Sequence, residues 1–301
     1  MDLYKELCQI LGEENVLTKE PMKRHTTFQV GGPADYFVTP GEEGQIRDTA
    51  AILRETDTPF YIMGNGSNLL VGDRGYRGVI IQLYKKMDGI QIQDTLVHAR
   101  AGALLSRIAA KALEASLSGF EFASGIPGTL GGAMMMNAGA YGGEMKQVAV
   151  RAHVLKATGD IREIPAEEMG LGYRTSIFSG NGDIILGADL QLKHGDGGEI
   201  RAAMEELKKK RVEKQPLEYP SAGSTFKRPQ GYFAGKLIQD AGLRGFRVGG
   251  AQVSEKHCGF VVNRDRATAA DIRSLMEQVS DRVYAQFGVR LEPEVKQIGE
   301  F

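Results

Sequence analysis

The chain has 301 residues, of which 42% are hydrophobic and 25% are charged, and these ordinary globular values exclude a disordered or fibrous protein. Its 37 Lys and Arg nearly balance its 38 Asp and Glu, so the sequence lacks the basic excess that a nucleic-acid partner requires. Only Cys8 and Cys258 are present, which excludes a disulfide scaffold, and no metal site is indicated. The charged N-terminal segment and the lack of any apolar run of about 18 residues predict a cytoplasmic protein without a membrane span.

Hydrophobic periodicity predicts alternating helices and strands in the first 83 residues. Leu3, Leu7 and Leu11 repeat at helical spacing, which predicts an amphipathic helix over residues 2–12. The following strands and helix form a small α/β unit; the predicted strands are 34–38, 59–63 and 79–83, and the predicted helix is 42–54.

The middle of the chain continues this pattern. A helix is predicted over 104–115, and two strands, 148–156 and 184–192, follow the glycine-rich region, with Thr158-Gly159-Asp160 as a hairpin turn after the first strand. Residues near 200–211 predict another helix that ends in the basic run 208–211. We interpret that run as cations stabilised by the C-terminal end of the helix dipole, rather than as a binding patch.

Prolines 216 and 220 mark a break before the last part of the chain. A capping box at Thr268 and Asp271 begins a helix with one apolar stripe, and Gly288 is placed as its C-cap. The alternating residues 289–295 predict a final strand. We therefore expect three domains, with residues 1–83 and 84–205 as two subdomains and residues 206–301 as the third domain.

Glycine is in excess, with 39 residues or about 13% against a usual value of about 7%. The first glycine loop, Gly64–Leu70, follows a predicted strand, but no glycine or long helix completes a Rossmann fingerprint. It is therefore either a tight turn or a phosphate cradle. The second stretch, Ser124–Glu144, favours the cradle, because closely spaced glycines expose backbone N–H groups to phosphate oxygens.

Six motifs follow one another along the chain: HTTFQVGG (25–32), GNGSNLL (64–70), SGIPGTLGGAMMMNAGAYGGE (124–144), GYR (172–174), GSTFK (223–227) and LEPEV (291–295). Together and in this order, they resemble the UDP-N-acetylenolpyruvoylglucosamine reductase family. The resemblance implies an α/β fold: a two-subdomain FAD-binding module of the vanillyl-alcohol-oxidase type, followed by an α+β substrate-binding domain. It covers residues 20–301, and the short segment between Arg174 and Ser224 resembles the shorter form of the family.

The resemblance implies the reaction and the cofactors. The family uses FAD and NADPH to reduce the enolpyruvyl ether of UDP-N-acetylglucosamine to UDP-N-acetylmuramate, a small-molecule step of peptidoglycan precursor synthesis. The residues that match its cofactor-binding positions are Thr27, Gly64, Asn65, Gly66, Ser67, Asn68, Leu69, Ser124, Gly125, Pro127, Gly128, Gly131, Ala133, Asn137, Gly139, Ala140 and Tyr141.

Three residues match the family's catalytic positions. Arg174 is expected to hold the substrate carboxylate and to stabilise enolate charge, although an isolated arginine would be interpreted as a surface residue. Ser224 is expected to protonate C2; the structural alternative is a serine in a polar turn or at a helix N-cap. Glu294 is expected to assist, and strand alternation alone does not separate it from Glu292.

The C-terminal loops supply the expected substrate-binding residues, which are Lys227, Lys236, Gln252 and Asn263. His257 is interpreted as a structural residue, and a Cys/His nucleophile at Cys258 is rejected because no third partner is evident.

Two other functions remain open from the sequence. One is an FAD-dependent oxidase of the same cofactor class that acts on a sugar or lactone. The other is a nucleotide-sugar binding protein without catalysis, which leaves Arg174, Ser224 and Glu294 unexplained.

Overall fold

The computed structural model describes residues 2–301 and contains helices and strands in alternation. Seven α-helices lie in this part of the chain: α1 (Leu3–Leu11), α2 (Glu43–Glu55), α3 (Leu105–Glu114), α4 (Leu130–Met135), α5 (Gly197–Lys214), α6 (Ala234–Asp240) and α7 (Ala269–Phe287). None of these helices combines the length and the apolar character needed to cross a bilayer.

The strands of residues 2–301 are mostly short. In chain order they are β1 (Val16–Pro21), β2 (Pro33–Val38), β3 (Phe60–Met63), β4 (Leu69–Val71), β5 (Tyr76–Gln82), β6 (Ile90–Gln93), β7 (Leu96–Arg100), β8 (Leu117–Ser118), β9 (Gly139–Ala140), β10 (Gly143–Glu144), β11 (Ala149–Leu155), β12 (Ile161–Pro165), β13 (Ile184–Gln191), β14 (Lys193–His194), β15 (Arg247–Val248), β16 (Ala251–Val253), β17 (Val261–Asn263) and β18 (Lys296–Ile298).

Two sheets organise the first two thirds of the chain. A four-stranded sheet has the order β1-β2-β5-β3, with β3 parallel to β5. A five-stranded antiparallel sheet has the order β12-β11-β13-β7-β6. The C-terminal part holds a three-stranded sheet, β15-β16-β17, and β18 runs parallel to β4.

The chain divides into two compact units, each made of three segments. The larger unit contains the residues up to Leu17, Tyr36–Asn65 and Val79–Arg211; the smaller unit contains Thr18–Asp35, Gly66–Gly78 and Val212–Phe301. Each unit has its own core of buried apolar side chains. The smaller unit includes Gly66–Gly78 because β4 pairs with β18, and the amide of Gly32 links the earlier segment to the carbonyl of Gly72 at 2.9 Å. The three-domain division from the sequence stays a prediction.

The periodic elements are confirmed within three residues at each end, but two expectations are wrong. Residues 289–295 form no strand apart from a single bridge at Pro293, because proline has no N–H to donate to a ladder. The basic run 208–211 does not end its helix, since α5 continues to Lys214. Arg211 is half-buried rather than part of a fully solvated helix end.

The N-terminus of α7 is held by two sets of acceptors. Thr268 and Asp271 form the predicted capping box, and Gly288 ends the helix in the left-handed conformation. In addition, the carboxylate of Asp73 accepts hydrogen bonds from the amides of Ala269 (2.8 Å) and Ala270 (2.9 Å). The local sequence pattern predicts the capping box. Asp73 lies almost 200 residues earlier, so no local pattern indicates that it caps α7.

We expect Asp73→Ala to lower the free energy of unfolding by about 1–2 kcal/mol, because two amides of the first turn of α7 lose a charged acceptor. Urea denaturation followed by circular dichroism measures the change. Asp265→Ala is the control, since Asp265 is exposed and forms only a 4.0 Å ion pair with Arg247. Equal stability of the two variants would contradict the capping role.

Candidate active site

The first glycine loop begins with a close approach of backbone to side chain in the larger unit. A Cβ added to Gly64 would lie 2.1 Å from Oγ1 of the buried Thr129, so glycine is required sterically at this position. The side chain of Asn65 donates to the carbonyl of Pro127 at 2.8 Å. The two glycine stretches are therefore in direct contact at Gly64, Asn65, Pro127 and Thr129.

The second glycine stretch offers fewer backbone donors than its composition indicated. The amide of Gly131 donates to the carbonyl of Ala101 at 2.8 Å, and that of Ala133 donates to the carbonyl of Thr129 at 2.9 Å. Among the hydrogen bonds described for residues 2–301, none uses the amides of Gly125 or Gly128. These two amides, rather than those of Gly131 and Ala133, can donate to a bound anion.

Arg211 lies beside this stretch, although the sequence interpretation places it among the cations at the C-terminal end of a helix. A Cβ on Gly125 would be only 3.2 Å from one terminal nitrogen of Arg211. Burial lowers the pKa of the guanidinium, while the electrostatic effect of Tyr141 opposes that change. A half-buried cation beside a glycine loop is suited to binding phosphate. The only sequence signal that could have found Arg211 was its position at the end of the apolar stripe of α5.

Asn137 organises the second half of the stretch. It is 1% exposed and adopts a positive φ of 45°. Its amide nitrogen donates to Glu144 (3.1 Å) and to the carbonyl of Gly172 (3.1 Å), and its oxygen accepts from the amide of Lys146 at 2.9 Å. The side chain of Asn137, which was predicted to bind the cofactor, thus forms its hydrogen bonds within the protein and links three segments of the chain.

The other predicted cofactor residues of the larger unit occupy two structural settings. Gly139 and Ala140 form β9, which pairs with β10, and Tyr141 follows it with a positive φ of 54° and 46% exposure. Ser124 donates its amide to the carbonyl of Glu121 within a short turn. The exposed ring of Tyr141 is the most accessible of these groups.

Arg174 sits at a strained turn. Gly172 and Thr175 exchange backbone hydrogen bonds of 3.1 and 3.3 Å, and Arg174 has a φ of 54° between them. A non-glycine residue in this conformation costs about 1–2 kcal/mol. Its guanidinium donates to the carbonyl of Gly139 at 3.5 Å, which directs the side chain toward β9. The turn is anchored nearby, because Ser176 donates to the carbonyl of Met135 at 2.7 Å.

In the smaller unit, the remainder of the first glycine loop packs against the HTTF segment. The amide of Thr27 donates to the carbonyl of Gly66 at 3.1 Å, and a Cβ on Gly66 would lie 2.1 Å from the carbonyl oxygen of His25. Ser67 is half-buried, whereas Leu69 is buried at the start of β4. These contacts hold the HTTF segment and the first glycine loop together.

Ser224 and Glu294 come from neighbouring backbone segments of the smaller unit. The amide of Glu294 donates to the carbonyl of Thr225 at 2.8 Å, so Glu294 pairs with the residue directly after Ser224. Asn68 adds a second tether by donating to the carbonyl of Glu294 at 3.2 Å. Ser224 is exposed, and no helix starts at that position, which excludes the helix N-cap interpretation.

Glu292 and Glu294 are distinguished by their surroundings. The amide of Lys227 donates to the carbonyl of Glu292 at 2.9 Å, and its ammonium pairs with the exposed carboxylate of Glu292 at 3.2 Å. Glu294 is half-buried. The structure thus distinguishes Glu292 from Glu294, which the alternation of side chains along a strand does not. It also shows that Lys227 has Glu292 as a partner within the protein.

The remaining expected substrate residues have partners of their own. Lys236 is exposed and pairs with Asp240 one turn along α6. Gln252 is 8% exposed and donates to the carbonyl of Gly245 at 3.2 Å. Asn263 donates to the carbonyl of Phe28 at 3.0 Å and accepts from the amide of Ala267 at 2.8 Å. Their substrate-binding roles stay predictions.

His257 and Cys258 have the character of structural residues. Burial lowers the pKa of His257, whose Nδ1 accepts a hydrogen bond from the amide of Gly259 at 3.1 Å. Burial also raises the pKa of the Cys258 thiol, which disfavours the nucleophilic thiolate.

Comparisons with known proteins identify the family of the chain. Residues 215–298 match the C-terminal domain of UDP-N-acetylenolpyruvoylglucosamine reductase, and residues 34–165 match an FAD binding domain. The UDP-N-acetylenolpyruvoylglucosamine reductase of Agathobacter rectalis is 53% identical over 99% of this chain and 98% of its own length. The chain belongs to the UDP-N-acetylenolpyruvoylglucosamine reductase family. The Clostridioides difficile relative is 52% identical over the same shares of both chains.

Solved structures agree with this membership. The reductase of the same name from Thermus caldophilus superposes with a TM-score of 0.79 and 35% identity, covering 94% of this chain and 98% of that one. An alkyldihydroxyacetonephosphate synthase shares the fold over 64% of this chain and 40% of its own, with a TM-score of 0.51 and 15% identity. The predicted fold class, an FAD-binding module followed by a further C-terminal domain, is therefore confirmed.

We expect Gly64→Ala to weaken FAD retention in this member of the reductase family, because the new methyl group would displace Thr129 and its loop. Overpacking of this kind costs about 1–3 kcal/mol. The ratio of flavin to protein absorbance after gel filtration measures the effect. Gly44→Ala is the control, since a Cβ there meets nothing within 4 Å. Full flavin content in Gly64→Ala would contradict the steric argument.

Proposed function

We propose that this chain is an FAD-dependent oxidoreductase that uses NADPH to reduce the enolpyruvyl ether of UDP-N-acetylglucosamine to UDP-N-acetylmuramate in peptidoglycan precursor synthesis. Family membership over 99% of the chain supports this activity. The structural observation that carries it is the pairing of Glu294 with Thr225, which brings the carboxylate-bearing residue next to Ser224. A cytoplasmic location stays a prediction from the sequence.

The chemistry of the glycine loops fits FAD. Phosphate oxygens are well matched by backbone amides and by a guanidinium, and the amides of Gly125 and Gly128 lie in the same stretch as the contact between Gly125 and Arg211. When bound, FAD supplies hydride transfer between NADPH and the substrate. We assign Gly125, Gly128 and Arg211 to its diphosphate. Gly64, Gly131, Ala133 and Asn137 act by shaping the loops.

Arg174 is assigned to the carboxylate of the enolpyruvyl group. A guanidinium is always charged, and it can donate two parallel hydrogen bonds to a carboxylate. Negative charge grows on that group when hydride adds to the double bond, so a fixed cation stabilises the transition state more than the ground state. The strained turn at Arg174 and its contact with Gly139 support a role that demands a fixed position.

Ser224 is assigned to deliver the proton to C2, and Glu294 to assist that delivery. The Ser224 hydroxyl is exposed, and Gly223 before it has a φ of 76°, which frees the chain to turn sharply there. A serine hydroxyl is a weak acid, so it transfers its proton only to a strongly basic centre such as the carbanion that forms at C2. Glu294 is held through its backbone by both Thr225 and Asn68.

We expect Ser224→Ala to leave reduction of the flavin by NADPH intact and to slow product formation by about 10²- to 10⁴-fold, as loss of general-acid catalysis usually does. Anaerobic stopped-flow absorbance separates the two half-reactions. Ser221→Ala, three residues away on the same segment, is the control and retains both rates. If NADPH failed to bleach the flavin of the unmodified protein, the result would favour the sugar oxidase instead. If Ser224→Ala slowed both half-reactions equally, the result would contradict the assignment of Ser224 as the proton donor.

We expect Arg174→Lys to lower the rate of substrate reduction by about ten- to a hundredfold, because an ammonium keeps the charge but loses one of two charged hydrogen bonds. Flavin content and reduction by NADPH are expected to stay unchanged. Arg162→Lys is the control, since Arg162 is exposed on a hairpin and makes only a 3.9 Å ion pair. A purified Arg174→Lys enzyme with full activity would contradict the assignment.

A further inference from the structure

One row of polar side chains crosses the five-stranded sheet of the larger unit, outside the candidate active site. Asp189 on β13 lies directly opposite His98 on β7 and Arg151 on β11, and His153 lies opposite Glu163 on β12. Cross-strand partners share a face, so these side chains project together. The neighbouring positions 97, 99, 188, 190, 152 and 154 are buried hydrophobic residues.

Three of these residues place ligand atoms close together. Oδ1 of Asp189 is 2.6 Å from Nδ1 of His98 and 3.1 Å from Nε2 of His153, and the three atoms lie within 4.8 Å of one another. The two imidazole rings meet edge to face, with centroids 4.9 Å apart. Within residues 2–301 no other group of three His, Cys, Asp or Glu residues has this geometry.

The carboxylate of Asp189 is prepared for a cation. Its side chain is 7% exposed, and Oδ2 is held by the guanidinium of Arg151 at 3.1 Å, which leaves Oδ1 to the imidazoles. The orientation of Asp189 is therefore fixed from the side opposite the imidazoles.

We propose that His98, His153 and Asp189 form a zinc site that joins strands β7, β13 and β11. Two imidazole nitrogens and one carboxylate oxygen are a ligand set that zinc takes up in proteins, and a solvent molecule would complete a tetrahedron on the exposed side of His98. This site is separate from every residue assigned to flavin, substrate or catalysis.

Zinc binding requires the histidine side chains to move, because the ligand atoms of the group lie up to 4.8 Å apart. Tetrahedral ligands about 2.0–2.1 Å from zinc lie about 3.3 Å from one another. The 3.1 Å contact of His153 nearly meets this value, and the 2.6 Å contact of His98 must widen. The His98 side chain is 43% exposed and can move outward. Glu163 lies 3.7 Å from the far nitrogen of His153, where it can accept the N–H that orients a metal-bound imidazole.

The test is zinc binding by the full-length flavoprotein after treatment with a chelator. Equilibrium dialysis against buffered zinc, with metal analysis, is expected to give one zinc ion per chain. His98→Gln and His153→Gln should weaken binding at least tenfold, while the amide can still hydrogen bond to Asp189. His194→Gln is the matched control, because His194 forms a 2.9 Å pair with Asp94 alone. Unchanged affinity in both His98→Gln and His153→Gln, or no zinc on the unmodified protein, overturns the proposal.

X-ray absorption of the zinc-loaded, unmodified protein identifies the zinc ligands directly. Because no substitution is made, the result does not depend on whether a variant folds. Two imidazole nitrogens and oxygen ligands at about 2.0–2.1 Å support the site. A first shell that contains sulfur from Cys8 or Cys258, or that has fewer than two imidazoles, overturns it.

Discussion

Close backbone approach at the first glycine loop is the constraint on which the candidate site depends. Gly64 lies against Thr129, and Gly66 lies against the carbonyl of His25; at both positions a Cβ would lie 2.1 Å from a neighbouring oxygen, well inside van der Waals contact. These two contacts constrain the positions of Asn65, Ser67 and Asn68. The collision at Gly66 is with a backbone oxygen, so no change of rotamer relieves it.

Asparagine side chains connect the loops that the glycines allow to approach. Asn65 bonds to Pro127, Asn68 to Glu294, Asn137 to Gly172 and Asn263 to Phe28, and every acceptor is a backbone carbonyl. An amide can donate twice and accept as well, so one short side chain can hold several segments without adding charge. The loops of the family motifs are thus held together by hydrogen bonds between uncharged groups.

Much of the fold was accessible from the sequence, because helix periodicity and capping chemistry are local. The box at Thr268 and Asp271 is an example. Residues 289–295 alternate as a strand does, but Pro293 permits a bridge and no ladder, so no strand forms there. Asp73 at α7 and Arg211 beside Gly125 were missed because their partners are far away in the chain. Conversely, Asn137 and Gln252 match motif positions, yet their side chains bond within the protein.

The left-handed conformation of Arg174 lowers the stability of the fold, while its guanidinium serves the proposed reaction. Glycine would adopt that φ without strain, so selection for a more stable fold alone would remove the arginine. A glycine variant would offer a chain without strain at this turn that lacks the proposed carboxylate ligand, which separates the folding role of the position from its chemical role. An arginine in this conformation carries a cost that glycine would avoid, and the proposed contact with the substrate carboxylate gives a chemical reason for that cost.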